Sequence, residues 1–436
     1  MLFLLYDILL LVLTPVIIPY HLYRLFRRGR SLAGFGERFG LIAPNALAKI
    51  AGKDAPIWVH AVSVGETIAV KPLLRELKKR FPERPLVLSN GTETGRGIAE
   101  SIPEVDLCLY VPFDYRFAVS RSLRLVSPAL VIIVETELWP RFILTARRRA
   151  IPTVMVNGRI SDRSFPRYRR LSFFFGPVLT RMTAFCMQTP EDARRIIAMG
   201  APAERVHASR NLKYDLPVRR IDEAERASLR DRYRIPEGAR VLVAGSTHPG
   251  EDEPVIEAFT ALRSGRPDLF LVLVPRHPER APEVAAMATG KGMTVTRRSA
   301  LDTAPRPEAG GVLLVDTIGE LMDLYALADL VFVGGSLVPT GGHNLLEPAS
   351  VGQPVVFGPY MHNFREIADL VLAAGAGAQV PDAAGLRETL ARLLDDDTAR
   401  REMGERGARL MAEQGGAAAR HVEIIAGVME SKDALP

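Results

Sequence analysis

The chain has 436 residues, 47% hydrophobic, 24% charged and 7% aromatic, a balance that excludes a disordered or collagen-like chain and suits two or three globular domains. Its two cysteines, Cys108 and Cys186, lie in apolar runs and exclude both a disulfide scaffold and a zinc cluster of CxxC spacing, which favours buried thiols in a reducing compartment. The net charge of +6 is divided unevenly: residues 1–215 carry 32 Lys and Arg against 18 Asp and Glu (+14), and the remainder 24 against 32 (−8), so the first half suits an anionic partner such as nucleic acid, a phospholipid surface or a phosphorylated substrate.

The first element in chain order is MLFLLYDILLLVLTPVIIPYHLY (Met1 to Tyr23), with Asp7 its only acid, followed by Arg24, Arg27, Arg28 and Arg30. Positive charges after the apolar run, and no cleavage site of small residues, argue against a secretory signal and for a membrane anchor. The positive-inside rule then keeps the rest of the chain on the cytoplasmic side. The uncharged stretch from Ile8 to Tyr23 is 16 residues long and contains Pro15 and Pro19. A spanning helix needs about 20, so this segment either crosses the bilayer or lies in its interface.

Short β-rich runs then alternate with helical stretches, the pattern of parallel sheets with crossover helices. The predicted strands of the first series are Ile57–Val62, Leu86–Ser89, Leu107–Val111, Ala129–Val134, Thr153–Val156 and Phe185–Gln188. Between the first two, Thr67 to Phe81 has apolar residues at helical spacing and gathers Lys and Arg in its last turns, where the helix dipole favours cations. A second series follows a polar stretch, at Val241–Ala244, Leu269–Val274, Val312–Val315, Leu330–Val333 and Pro354–Phe357. We expect an anchor over 1–23, one doubly wound domain over 31–212 and a second over 225–430, joined by a linker near 210–225.

In open parallel sheets ligands bind beyond the carboxyl ends of the strands. There the first domain offers Glu66, after the turn Ser63-Val64-Gly65, and Glu135 in Glu135-Thr136-Glu137-Leu138-Trp139-Pro140. Glu66 alone reads more readily as a helix-capping carboxylate, but two acids at strand tips of one domain suggest a site. The second domain offers Ser246 and Thr247 in Gly245-Ser246-Thr247-His248-Pro249-Gly250, then Pro275 and Arg276, and a glycine loop from Gly334 through Gly335, Ser336, Gly341, Gly342, His343 and Asn344 to Glu347. Small residues, hydroxyls and free amides at a helix start can cradle a phosphate, a guanidinium can pair with it, and a carboxylate can accept hydrogen bonds from ribose hydroxyls. Neither a Walker A loop nor GxGxxG occurs. Asp395-Asp396-Asp397 reads as solvated surface rather than a metal motif.

Together the anchor, GERFG at 36–40, HAVSVGE at 60–66, ETELWP at 135–140, NGRIS at 157–161, LKYD at 212–215, GSTHPGEDE at 245–253, PRHPER at 275–280 and GGHNLLEP at 341–348 resemble the 3-deoxy-D-manno-octulosonic acid (Kdo) transferases, over almost the whole chain. The resemblance implies a GT-B fold, two Rossmann-like doubly wound domains facing a cleft, with an N-terminal anchor helix. It implies inverting transfer of Kdo from CMP-Kdo to the lipid A precursor at the cytoplasmic face of the inner membrane, with anionic lipids as neighbours, no nucleic acid, no cofactor and no catalytic metal. By motif, Glu66 resembles the general base and Glu135 and Lys213 the transition-state stabilisers. Pro275, Arg276, Ile318, Gly319, Glu320 and the run Asn344, Leu345, Leu346 and Glu347 resemble the CMP contacts. A sugar-nucleotide epimerase of similar fold would share the second-domain loops, and a noncatalytic membrane scaffold the anchor and the charge.

Overall fold

The computed structural model describes residues 2–27, 34–216, 219 and 221–433. The chain forms two units, residues 1–215 with 416–436, and residues 216–415. Each is an α/β unit around a seven-stranded, wholly parallel sheet, as expected of two Rossmann-like halves.

In the first unit the strands are β1 (Ile57–His60), β2 (Leu86–Asn90), β3 (Leu107–Tyr110), β4 (Leu130–Val134), β5 (Thr153–Gly158), β6 (Ala184–Met187) and β7 (Val206–Ala208), in the order β3-β2-β1-β4-β5-β6-β7. In the second they are β8 (Arg240–Thr247), β9 (Leu269–Pro275), β10 (Val295–Arg297), β11 (Val312–Leu314), β12 (Leu330–Val333), β13 (Val355–Phe357) and β14 (Gly377–Gln379), in the order β10-β11-β9-β8-β12-β13-β14. The central strands are buried along their length because helices cover both faces, and that is why they read as continuous Val, Ile and Leu runs. Strand order reverses direction between β1 and β4 in one sheet and between β8 and β12 in the other. Such switch points open a crevice at the carboxyl ends. Glu66 follows β1, Glu135 follows β4, Ser246 and Thr247 close β8, and the glycine loop follows β12.

One expectation is corrected. The second domain does not run to 430, because the terminal helix Ala417–Asp433 belongs to the first unit. Its Ala418, Val422, Ile425 and Met429 join the core formed by Val59, Leu88 and Ile132. The Asp215 carboxylate accepts from the amides of Gly416 (2.8 Å) and Ala418 (2.5 Å) at the start of that helix, which satisfies donors that would otherwise be orphaned. For the anchor segment the sequence left crossing the bilayer and lying in its interface open. Residues Leu2–Arg27 are helical, but no helix among the described residues is long and apolar enough to cross a membrane.

That helix is fastened to the first unit along one side. Tyr6 donates to Asp114 at 2.9 Å, Thr14 and Tyr115 share a 2.7 Å hydrogen bond, and Asp7 pairs with Arg141, which is 4% exposed. Asp114 also accepts from the amides of Arg141 and Phe142, and burial nevertheless lifts its carboxyl to about 6. The other side leaves Leu4, Leu5, Ile8, Leu9, Leu11 and Val12 exposed. Arg28 and Arg30, expected beside the anchor, lie outside the described residues.

Candidate functional site

At the tip of β1, Ser63 caps the helix Val64–Ala69 by accepting from the Glu66 amide at 3.2 Å. The Glu66 carboxylate answers by accepting from the Ser63 hydroxyl at 2.9 Å and from the Val62 amide at 2.7 Å. The capping carboxylate and the candidate site carboxylate are therefore one side chain. Glu66 is 7% exposed. Burial pushes its carboxyl up to about 7; the two hydrogen bonds oppose this, and the nearby Glu135 and Glu137 reinforce it. Burial, with a smaller push from Glu135, also raises Glu137.

Glu135 extends the sheet, donating its amide to Val156 at 2.8 Å, and then turns into the left-handed region at φ 57°. Non-glycine residues adopt that conformation where the surrounding structure compels it, and functional sites collect such strain. Lys213 comes to 3.4 Å from the Glu135 carboxylate. Its turn, Leu212–Tyr214, is fixed from beneath: the Leu212 amide donates to Asn157 Oδ1 (2.9 Å), Asn211 to Gln188 (2.9 Å), and Gln188 to the Asn157 carbonyl (3.0 Å). The structure thus brings Glu66, Glu135 and Lys213 to the carboxyl edge of one sheet.

In the second unit a residue not singled out from the sequence organises the loops. Glu251 is fully buried, and its carboxylate accepts from the amides of His248 (2.9 Å), Gly335 (2.6 Å), Ser336 (2.9 Å) and Leu337 (2.8 Å). The amides of Gly335 and Ser336, expected to cradle a phosphate, are therefore already occupied by a carboxylate of the chain itself. The Ser336 hydroxyl is likewise committed, donating to the Val333 carbonyl and accepting from the Gly358 amide. The signal for Glu251 was an acid directly after the turn Gly245-Ser246-Thr247-His248-Pro249-Gly250, easily taken for a solvated helix start.

Thr247 is also internal: it donates to Asp252 at 2.6 Å, and Asp252 pairs with Arg280 at 2.7 Å. Leu345 and Leu346 are fully buried in the core and do not offer side chains to a ligand. The candidates that remain available converge. Arg276 is tied by its backbone amide to the Thr247 carbonyl at 2.9 Å, while its exposed guanidinium has no hydrogen-bond or ion-pair partner among the described residues. The positive charge of Arg276 reaches both His343 and Glu347, whose carboxyl is raised chiefly by burial and lowered by Asn344 and Arg276. Gly342 (φ 78°) must be glycine, because a Cβ there would lie 2.3 Å from Met361 Sδ. After β11, Ile318 is 87% exposed and Gly319 sits at φ 94°. Glu320, by contrast, is engaged by Arg298 at 3.0 Å and by Thr317. Pro275 ends β9 and sets the start of the Arg276 turn.

Comparison with known proteins identifies the family of the chain. The family described as 3-deoxy-D-manno-octulosonic-acid transferase (kdotransferase) matches residues 33–216. The 3-deoxy-D-manno-octulosonic acid transferase of Haemophilus influenzae is 33% identical over 432 residues, 98% of each chain. The chain belongs to the Kdo transferase family. That makes it a glycosyltransferase. The Bordetella pertussis Kdo transferase is 34% identical over 92% of this chain and 94% of its own. Among solved structures, UDP-GlcNAc 2-epimerase from Neisseria meningitidis bound to UDP-GlcNAc aligns with TM-score 0.55 over 85% of this chain and 100% of its own, at 14% identity. At that identity the likeness is one of fold, and the two Rossmann-like units of this Kdo transferase share it.

Proposed function

We propose that the enzyme transfers Kdo from CMP-Kdo to the lipid A precursor, lipid IVA, in lipopolysaccharide core biosynthesis, by a single inverting displacement with Glu66 as general base. The observation that carries this reading is the placing of Glu66 at the tip of β1, a carboxylate 7% exposed and held by the Val62 amide and the Ser63 hydroxyl, with burial pushing it up to about 7. A base with that value is about half ionised at neutral pH and holds a proton well once it has taken one. As the acceptor hydroxyl attacks the anomeric carbon of Kdo, its proton passes to Glu66, the carbon–oxygen bond to the phosphate breaks, and CMP leaves as an anion. Glu135 and Lys213 stabilise charge as the sugar gains oxocarbenium character. Arg276 pairs with the nucleotide phosphate, and Asn344 and Glu347 serve the ribose hydroxyls.

The basic first half suits a phosphorylated lipid and an anionic leaflet. The helix Leu2–Arg27 supports attachment to the cytoplasmic face of the inner membrane: its polar side is spent on Asp114, Tyr115 and Arg141, so its apolar side enters the interface in plane instead of spanning it. The decisive experiment is incubation with CMP-Kdo and lipid IVA followed by mass spectrometry of the lipid. A mass increase by whole Kdo residues is expected; free sugar isomers with no lipid product would overturn the reading.

A further inference from the structure

The second unit holds a histidine cluster that the mechanism above leaves without a part. His248, in the turn after β8, and His343, in the glycine loop, have Nε2 atoms 2.9 Å apart. Their rings are stacked at 5.2 Å and 19°, and His277, after β9, meets His248 edge-on at 5.9 Å. Two Nε2 atoms bond only when one carries a proton and the other does not, so the tautomers of the two rings are locked together. The buried Glu251 carboxylate fixes both rings from below. It holds the His248 amide, and it holds Gly335, where a Cβ would lie 3.0 Å from the His343 ring. Among the described residues no three His, Cys, Asp or Glu are grouped to hold a metal ion.

The titratable and charged neighbours come from every element around the pair. Arg276 and His277 follow β9, Arg280 lies in the short helix Pro278–Arg280, Glu251 lies beneath the loop, and Glu347 stands in the helix Leu346–Ser350. Arg280 is already paired with Asp252, whereas the Arg276 guanidinium is unbonded among the described residues. Burial and these cations keep both imidazoles neutral, His343 as low as about 4, although Glu251 pulls His248 the other way. Neither Nδ1 has a partner among the described residues, so the pair has one free ring nitrogen able to accept a proton, the Nδ1 of the ring that donates through Nε2.

We propose that the His248–His343 pair is a proton-accepting part of the donor site, which takes up one proton when an anionic nucleotide phosphate binds beside Arg276. The proposal rests on the donor reading above. An anion at Arg276 reverses the sign of the local field. A proton from the buffer then adds to the free Nδ1 of whichever ring donates through Nε2, and the Nε2···Nε2 bond survives, because one proton still lies between the two nitrogens. The pair meets the phosphate as a single positive charge shared across two rings.

The test is calorimetric titration of the full chain with CMP near pH 7.5 in three buffers of different ionisation enthalpy, comparing the parent with His248→Gln and His343→Gln. Glutamine places an amide where Nε2 was, so it can keep the hydrogen bond but cannot take the charge. The parent should take up about half a proton or more per CMP beyond either variant. Its affinity should also rise as pH falls, by up to about tenfold per pH unit for full uptake of one proton, with a flatter response in the variants. The ionisation of CMP itself is common to all three proteins and cancels. Equal proton counts in the parent and both variants would overturn the proposal while leaving the donor reading intact; failure of the parent to bind CMP at all would overturn the donor reading.

Discussion

Replacing Glu66 by Gln separates the chemistry of this residue from its structural part. The folded chain holds the Glu66 proton more tightly than the unfolded chain, moving it from 4.5 to about 7. Ionising it in place therefore costs the fold up to about 3 kcal/mol. The sign follows from linkage: this cost is absent below about pH 4.5, grows as pH rises, and is complete above about pH 7. Gln cannot ionise, and it can still accept from the Val62 amide and donate to Ser63. Urea unfolding should show the variant gaining on the parent by about 2 kcal/mol between pH 5 and pH 8, while turnover falls by about 10²–10⁴. In the parent, kcat/KM should rise with pH through an inflection near 7 that the variant lacks. A stability gap identical at both pH values would refute the account of Glu66 as a buried carboxyl that ionises at a cost, and turnover within twofold of the parent would remove it from the mechanism.

Three further outcomes are expected. Arg276→Ala should weaken CMP binding about ten- to a hundredfold by calorimetry, through loss of a charge-assisted hydrogen bond, with little change in stability because the guanidinium supports nothing else. Asp7→Ala leaves the Arg141 guanidinium buried without its acid and should lower stability by about 2–4 kcal/mol in urea unfolding; adding Arg141→Met should restore much of that loss. Glu251→Gln turns one acceptor oxygen into a donor beneath four amides, and should cost about 2–5 kcal/mol by denaturation and release the loop 334–337, with CMP affinity falling in the same variant.

What the residues announced, and what they hid, has a physical pattern. Strands buried on both faces are continuous apolar runs, and β1 to β6, β8, β9 and β11 to β13 could be read from them. The strands not anticipated, β7, β10 and β14, are three-residue sheet edges, each with at least one exposed residue, so they carry no apolar run. Strand-tip acids were visible because a parallel sheet puts its chemistry there. Glu251 was not, because nothing local to it tells that three of its four partners stand over 80 residues away. Asp7 did carry a signal: a single acid inside an apolar helix needs a partner, but the identity of Arg141 depends on tertiary structure. For Gly335 and Ser336 the motif was right about a polar cradle and wrong about its occupant.

The return of the terminal helix to the first unit has a consequence for biosynthesis. The whole of residues 216–415 is inserted between two parts of one folding unit. A ribosome adding about 5–20 residues per second needs roughly 10–40 s to cross that insertion. Throughout this interval the sheet has no Val422, Ile425 or Met429 to cover it, Asp215 has no amides to cap, and the amide of Asn157 lacks His421 Nε2, its acceptor at 3.2 Å. The nascent first unit thus waits, with part of one face uncovered beside Leu73, Leu74 and Leu77, until residues 416–433 have left the exit tunnel.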